Sequence, residues 1–254
     1  MILDSFRLDG QVALVTGARQ NLGQAMALAL AEAGADICAL DVDDVSETSQ
    51  AVKEMGRRCH PIVCDLRSAS VKDVQQVVSD TVAELGRLDI LVNNAGIIRR
   101  NPALDFSEAD WDDVLQIDLK SVFFLSQSAA RVMVPQKHGK IINIVSLLSF
   151  QGGILVPSYT AAKSGAAGLT RALANEWARY GVNVNAIAPG YMVTDVTAAL
   201  RADPSRAQAI LDRIPAERWG TPSDLKGTVV FLASAASDYL HGAIVPVDGG
   251  WLAR

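Results

Sequence analysis

The sequence predicts a single-domain α/β fold: a doubly wound parallel sheet of about seven strands with helices on both faces. Two observations predict it. Short continuous runs of Val, Ile, Leu and Ala alternate with longer helix-period segments from end to end. The 254 residues are 50% hydrophobic, enough to fill one sizeable core. Strands buried on both faces read as unbroken apolar runs, and parallel neighbours need a helix-length crossover between them.

The elements follow in order. Val12-Ala13-Leu14-Val15 predicts a strand over 11–16, and the small-residue stretch 23–33 a helix packed close against it. Ile37-Cys38-Ala39-Leu40 marks a strand over 36–40, followed by a helix over 45–55. A strand is expected over 59–64 and a helix over 69–84, where apolar residues recur at helical spacing. The short run at 90–93 is a strand. Residues 107–133 read as one long helix, with Trp111, Val114, Leu115, Val122, Leu125, Ala129 and Val132 on a stripe. Ile141-Ile142-Asn143-Ile144-Val145 predicts a strand over 140–146, then a helix over 158–180 and a strand over 182–188. A helix over 222–234 and a strand over 243–247 close the chain. The irregular stretch at about 190–219, rich in Pro, Arg and Asp, is expected to lie over the carboxyl ends of the strands as a substrate lid. No linker or repeat divides the chain, so 1–254 reads as one unit.

Composition narrows the function classes. A net charge of −5 without any basic run argues against nucleic-acid binding. No apolar stretch is long enough to span a bilayer, and residues 1–10 lack a signal-peptide core. Cys38, Cys59 and Cys64 read as buried reduced thiols of a cytoplasmic protein. His60, His138 and His241 are scattered without ligand spacing, so no metal site is expected.

The N-terminal third carries a nucleotide-binding pattern. The first strand runs into Gly17, and Gly17 and Gly23 flank Ala18-Arg19-Gln20-Asn21-Leu22 before a helix begins. Glycines let the backbone approach a pyrophosphate, and the helix N-terminus supplies amides and partial positive charge. An ordinary βα turn is the bland alternative. Asp41 closes the second strand, 18 residues past Gly23. A carboxylate there accepts hydrogen bonds from an adenosine ribose and repels a 2′-phosphate. It could also be one helix-start acid in the cluster Asp41, Asp43, Asp44. Arg19 is the opposing sign, since a guanidinium could meet a 2′-phosphate. The balance predicts NAD over NADP.

A second constellation carries chemistry. Tyr159 and Lys163 are four residues apart and share one helix face, and Ser146 lies 13 residues before Tyr159 at a strand end. Together they can move a proton at a carbonyl or alcohol oxygen. Lys163 and a positive nicotinamide ring are expected to bring Tyr159 down toward neutral pH. Arg99 and Arg100 follow the fourth strand, and Arg213 and Arg218 sit in the lid-like stretch; as a set they suggest an acidic polyol substrate.

These residues resemble the short-chain dehydrogenase/reductase family over essentially the whole chain. The matches are Thr16-Gly17…Gly23, Asp65-Leu66, Asn93-Asn94-Ala95-Gly96, Ser146, Tyr159…Lys163 and Pro189-Gly190…Thr194, in the family's order. The resemblance implies a Rossmann-type oxidoreductase. It places Asp65 and Leu66 at the adenine, Asn93, Ala95 and Gly96 along the cofactor cleft, and the Met192 backbone and Thr194 at the nicotinamide carboxamide, beyond Pro189-Gly190. It also implies a homotetramer. The sequence departs from the family's pattern twice. Asn21 stands where a middle glycine is usual, and Asn tolerates left-handed backbone angles. Asp118 stands where an asparagine usually serves as fourth catalytic residue. It falls on the apolar stripe, so it either pairs with Lys163 or leaves the role to the helix backbone. The stretches 94–100, 146–153, 210–215 and 247–254 resemble the branch of the family that acts on gluconate-type sugar acids, which adds Gln151 as a substrate contact. Two other readings stay open: an NADPH-dependent reductase of acyl or small ketone substrates, and a non-catalytic nucleotide-binding scaffold or sensor.

Overall fold

The computed structural model describes residues 1–254. Seven parallel strands form one sheet in the order β3-β2-β1-β4-β5-β6-β7. They are β1 (Val12–Thr16), β2 (Asp36–Asp41), β3 (Cys59–Val63), β4 (Ile90–Asn93), β5 (Gly139–Ile144), β6 (Val182–Pro189) and β7 (Ile244–Val247). The helices are α1 (Asn21–Glu32), α2 (Ser46–Glu54), α3 (Val71–Leu85), α4 (Glu108–Leu115), α5 (Ser121–Gln136), α6 (Pro157–Trp177), α7 (Ala198–Ala202), α8 (Pro204–Leu211) and α9 (Lys226–Ala233). The expected Rossmann-type sheet is therefore present, with strand ends within two residues of expectation.

Alternation along β1 shows how the core divides. Ala13 and Val15 pack with Met26, Leu30 and Val229 from α1 and α9 on one face. Val12 and Leu14 pack with Val74, Val78 and Leu125 from α3 and α5 on the other. Every residue of β1, β4, β5 and β6 is buried, including the polar Lys140, Asn143, Asn183 and Asn185, so both faces of these strands are covered. Each fully buried Leu or Val contributes on the order of 1.5–3 kcal/mol by leaving water. The strand order reverses between β1 and β4, which pair in register with Ala13 opposite Ile90. Crevices at such a switch point open at the carboxyl ends of the strands.

Local signals set several helix boundaries. Ser70 caps α3 by accepting from the Asp73 amide at 3.2 Å, and Asp73 Oδ2 accepts from the Ser70 amide at 2.8 Å. Gly86, at φ +91°, ends the same helix.

Three expectations are corrected. The long helix expected over 107–133 is two helices joined by a five-residue π turn, Gln116–Lys120. The wider turn brings Ile117 and Asp118 inward together, while Trp111, expected on the stripe, is 37% exposed. The stretch 190–219 is not merely irregular, since it contains α7 and α8. Of the three free thiols only Cys38 is buried, and burial pushes it up to about 12. Cys59 and Cys64 are half-buried, because β3 is an edge strand. No helix is long and apolar enough to cross a membrane.

Candidate active site

A cleft of about 500 Å³ runs along the carboxyl ends of the strands, from Asp41 and Leu66 at one end to Ser146 and Tyr159 at the other. Its floor at the switch point is a polar knot. Thr16 Oγ1, at the end of β1, accepts from the Asn94 and Ala95 amides at 3.0 and 2.9 Å. Asn94 Nδ2 donates to the Thr16 and Gly17 carbonyls at 2.9 and 3.1 Å. These bonds fix the turn entering α1.

That turn requires its glycines. Gly17 has φ +66°, and a Cβ built on Gly23 would lie 1.9 Å from the Gly17 carbonyl oxygen. Asn21 takes φ +54°, the left-handed conformation that asparagine tolerates. The unpaired amides of the first turn of α1 face this cradle. A Cβ at Gly23 would also meet Asn94 Nδ2 at 2.5 Å, so the turn stays closed only with glycine there, and its backbone amides are left bare for a group such as a dinucleotide pyrophosphate. Gly23→Ala is expected to force the turn open at a cost of about 1–3 kcal/mol, typical of overpacking. That corresponds to roughly 5- to 150-fold weaker dinucleotide binding. Isothermal titration calorimetry checks this, and wild-type affinity would exclude the cradle.

Asp41 stands at the adenosine end. Its carboxylate accepts from the Arg19 amide at 3.0 Å and the Val42 amide at 2.8 Å. Asp65, Leu66 and Cys64 line the opposite wall, and Leu22, Ala95, Gly96, Pro189, Gly190, Met192 and Thr194 continue along the groove. Two expected residues lie elsewhere. Asn93 is buried beneath the floor, where its Nδ2 donates to Asn143 Oδ1 at 2.9 Å and Ser126 Oγ at 3.0 Å. Its neighbour Asn94 lines the cleft instead, because residue 93 ends β4 inside the sheet. The Arg19 side chain is not in the groove wall; its guanidinium lies 3.7 Å from the Asp43 carboxylate.

The other end of the cleft collects four groups from three segments of the chain. Ser146 follows β5, and its Oγ accepts from the Leu148 amide at 3.1 Å. Tyr159 and Lys163 share the cleft face of α6, with Lys163 Nζ 5.5 Å from the Tyr159 ring centroid. Lys163 Nζ donates to the Ile144 carbonyl at 2.9 Å and lies 3.1 Å from Asp118 Oδ2. Asp118 Oδ1 accepts from the Ile97 amide at 2.8 Å. Of the two alternatives for Asp118, the structure shows the direct pair with Lys163. Gly96 makes room for it, since a Cβ there would come within 2.8 Å of Asp118 Oδ2.

Electrostatics at this end differ from expectation. Burial pushes the Tyr159 phenol up, Lys163 pulls it down, Asp118 pushes it up again, and Ser146 and Arg100 pull it down. The net direction, without a cofactor, is upward and not toward neutral pH. Lys163 is raised: burial opposes its charge, but Asp118 and Tyr159 outweigh burial, so it remains an ammonium. Burial pushes the Asp118 carboxyl up, against Lys163 and the Ile97 amide.

The five residues expected at the substrate separate into used and available groups. Arg99 lines the cleft, but its guanidinium is paired with Asp110 at 3.2 Å and Asp113 at 3.3 Å. Arg218 lies away from the cleft and grips both oxygens of Asp224, which braces the turn Pro222–Leu225. Arg100 lies outside the cleft lining and donates to the carbonyl of Val196, a lining residue, at 3.1 Å. Arg213 and Gln151 also lie outside that lining; Arg213 sits 4.1 Å over the Trp251 ring and donates to Gln151 at 3.3 Å. No group of acidic, His or Cys side chains is arranged to hold a metal ion.

A lid contact went unforeseen. Asp195 Oδ2 accepts from Gln20 Nε2 at 3.0 Å and Asn21 Nδ2 at 3.1 Å, so the stretch after β6 is clasped to the glycine turn. Nothing local in the sequence marks two amides and a carboxylate so far apart as partners.

Comparisons with known proteins agree with this geometry. A family profile described as enoyl-(acyl carrier protein) reductase matches residues 17–252. The 2-dehydro-3-deoxy-D-gluconate 5-dehydrogenase of Escherichia coli (strain K12) is 58% identical over 255 residues, spanning all of both chains. A structure from Agrobacterium tumefaciens with bound NADP is 52% identical and superimposes with a TM-score of 0.92, covering 99% of this chain and all of the other. A gluconate 5-dehydrogenase from Burkholderia cenocepacia, in complex with NADP and tartrate, is 38% identical over the whole of both chains, with a TM-score of 0.94. With the sheet, the glycine cradle and the Ser146, Tyr159 and Lys163 cluster in place, the chain belongs to the short-chain dehydrogenase/reductase family of oxidoreductases.

Proposed function

We propose that this protein transfers hydride between a nicotinamide dinucleotide and a secondary hydroxyl or ketone of a sugar acid, its substrate being 2-dehydro-3-deoxy-D-gluconate, oxidised at C5. The observation that carries the reaction type is the meeting of Ser146, Tyr159 and Lys163 at one end of a cleft whose other end is a dinucleotide cradle. The likeness to the E. coli enzyme of that name supports the substrate.

The cofactor, when bound, accepts or supplies the hydride. Gly17, Asn21, Leu22 and Gly23 hold its pyrophosphate, and Asp65 and Leu66 its adenine. Ala95, Gly96, Pro189, Gly190, Met192 and Thr194 flank its nicotinamide half. Tyr159 Oη exchanges the proton with the substrate oxygen, which Ser146 holds by a hydrogen bond that strengthens as charge develops. The Lys163 ammonium orients the cofactor ribose and attracts phenolate charge. Of the four candidate guanidiniums, Arg100 and Arg213 are the two that no carboxylate consumes, so the substrate carboxylate falls to them, with Gln151 beside Arg213. Asp41 favours NAD, because its carboxylate, held by two backbone amides, repels a 2′-phosphate. The protein works in the cytoplasm as a homotetramer. The groove between α4, α5 and α6, lined by Leu119, Phe123, Phe124 and Leu169, is the face available to a second copy.

The test is the initial rate of reduced-cofactor formation with 2-dehydro-3-deoxy-D-gluconate beside D-gluconate, each with NAD and with NADP. The expected result is a higher kcat/KM for the deoxy sugar acid and for NAD. Preference for gluconate would move the substrate assignment, and equal efficiency with both dinucleotides would remove the role given to Asp41. No turnover with either acid would favour a different substrate or a nucleotide-binding scaffold.

A further inference from the structure

We propose that Asp118 is a positioning residue whose carboxylate, seated against Lys163, offsets part of that ammonium's pull on Tyr159 and so adds to burial in holding it a neutral phenol, so that the site protonates a ketone readily in the neutral range and takes a proton from an alcohol more readily as the solution turns alkaline. The proposal rests on Tyr159 as the proton-transfer group.

The geometry carries it. Asp118 is fully buried on the π turn and Lys163 is 4% exposed, so water screens neither charge. One carboxylate oxygen is fixed by the Ile97 amide and the other lies 3.1 Å from the ammonium. Gly96 leaves the space this pairing needs. An ammonium alone near a phenol favours the phenolate. A carboxylate in contact with that ammonium offsets part of its positive field at the phenol and opposes the effect. The groups that act on Tyr159 come from every side: Lys163 on its own helix, Asp118 from the π turn, Ser146 after β5 and Arg100 after β4. Asp118 is the one anion among them.

The consequence follows from the proton balance. In ketone reduction the Tyr159 O–H bond breaks and a new O–H bond forms on the carbonyl oxygen. The electron pair of the C=O π bond makes that bond while the carbon gains the hydride of the reduced dinucleotide. The phenolate left behind takes a proton from solvent. Alcohol oxidation runs this in reverse and needs the phenolate beforehand. A phenol held in its protonated form therefore favours reduction at neutral pH.

The experiment is a near-ultraviolet tyrosinate titration without substrate or cofactor. Tyr159 is isolated by subtracting the matching Tyr159→Phe protein, because the chain has 4 tyrosines. Asp118→Asn keeps an acceptor for the Ile97 amide and removes the charge. The expected result is a downward shift of the Tyr159 titration by about 1–2 pH units. The acidic limb of kcat/KM for oxidation should move with it. An unmoved titration overturns the proposal. A second arm uses Asp118→Asn combined with Lys163→Met. With both charges gone, Tyr159 should titrate below its position in Lys163→Met alone, where the carboxylate acts unopposed; the same position in both would overturn the proposal. Since the titration needs no substrate, a failed substrate assignment leaves this result standing, and the reverse holds as well.

Discussion

Tyr159→Phe is expected to lower kcat by roughly 10²–10⁴-fold, the range for loss of a positioned general acid–base group. The ring remains, so packing in the cleft is kept, and only the oxygen that exchanges the proton is lost. Ser146 does not replace it, because its hydroxyl has no neighbouring base to carry a proton away; its Oγ accepts from the Leu148 amide. Dinucleotide affinity should be unchanged within a few-fold, since the cradle at Gly17 and Gly23 lies at the other end of the groove. Steady-state rates, together with calorimetric titration of the dinucleotide, check both parts. A variant with full turnover would remove Tyr159 from the reaction. A variant that lost dinucleotide binding would make it a cofactor ligand first.

Lys163→Met is expected to destabilise the fold by about 3–5 kcal/mol as well as to remove activity. The reason is Asp118, a fully buried carboxylate whose cationic neighbour is that ammonium. Breaking a buried pair from one side leaves an uncompensated charge, whereas removing both charges need not destabilise. Asp118→Asn together with Lys163→Met should therefore recover most of the lost stability without recovering turnover. Urea unfolding measures this through the midpoint at constant slope. The pH dependence has a defined sign. Burial raises the folded Asp118 carboxyl above its unfolded value, so the folded state binds the proton more tightly. The penalty in Lys163→Met is then smallest in acid and grows as pH rises through that raised value. A penalty equal for the single and double variants would mean that the loss is one of packing and not of charge.

Much of this arrangement was legible beforehand. The strands were found because burial on both faces leaves unbroken apolar runs such as Val12–Thr16, whose every residue is buried. The glycine cradle was legible because Gly17 and Gly23 meet a backbone constraint that few residue types satisfy. Asn21 was read correctly as a substitute for the same reason. Tyr159 and Lys163 were placed together by helix spacing alone.

What could not be read was of another kind. Asn93 and Asn94 are adjacent and identical, and only the end of β4 decides that one is buried and the other faces the cleft. The π turn interrupts a helix whose stripe looked continuous; Asp118, expected on that stripe, is buried, but Trp111, expected there too, is exposed. Arg99 and Arg218 looked like carboxylate ligands until their partners Asp110, Asp113 and Asp224 were in view. The clasp from Asp195 to Gln20 and Asn21 joins the stretch after β6 to the glycine turn.

By itself, then, the sequence determined the α/β architecture, the glycine turn and which side chains share a helix face at the cleft, Tyr159 and Lys163. Each of these depends on periodicity, backbone conformation or spacing within one element. Tertiary structure alone decided which charges neutralise one another and which remain free for a ligand. That choice rests on Coulomb energies between groups far apart in the chain, whose strength is set by burial and by distances of a few ångströms. The contact of Lys163 with Asp118, one of two alternatives open in the sequence, is a decision of this second kind at the end of the cleft that holds Tyr159.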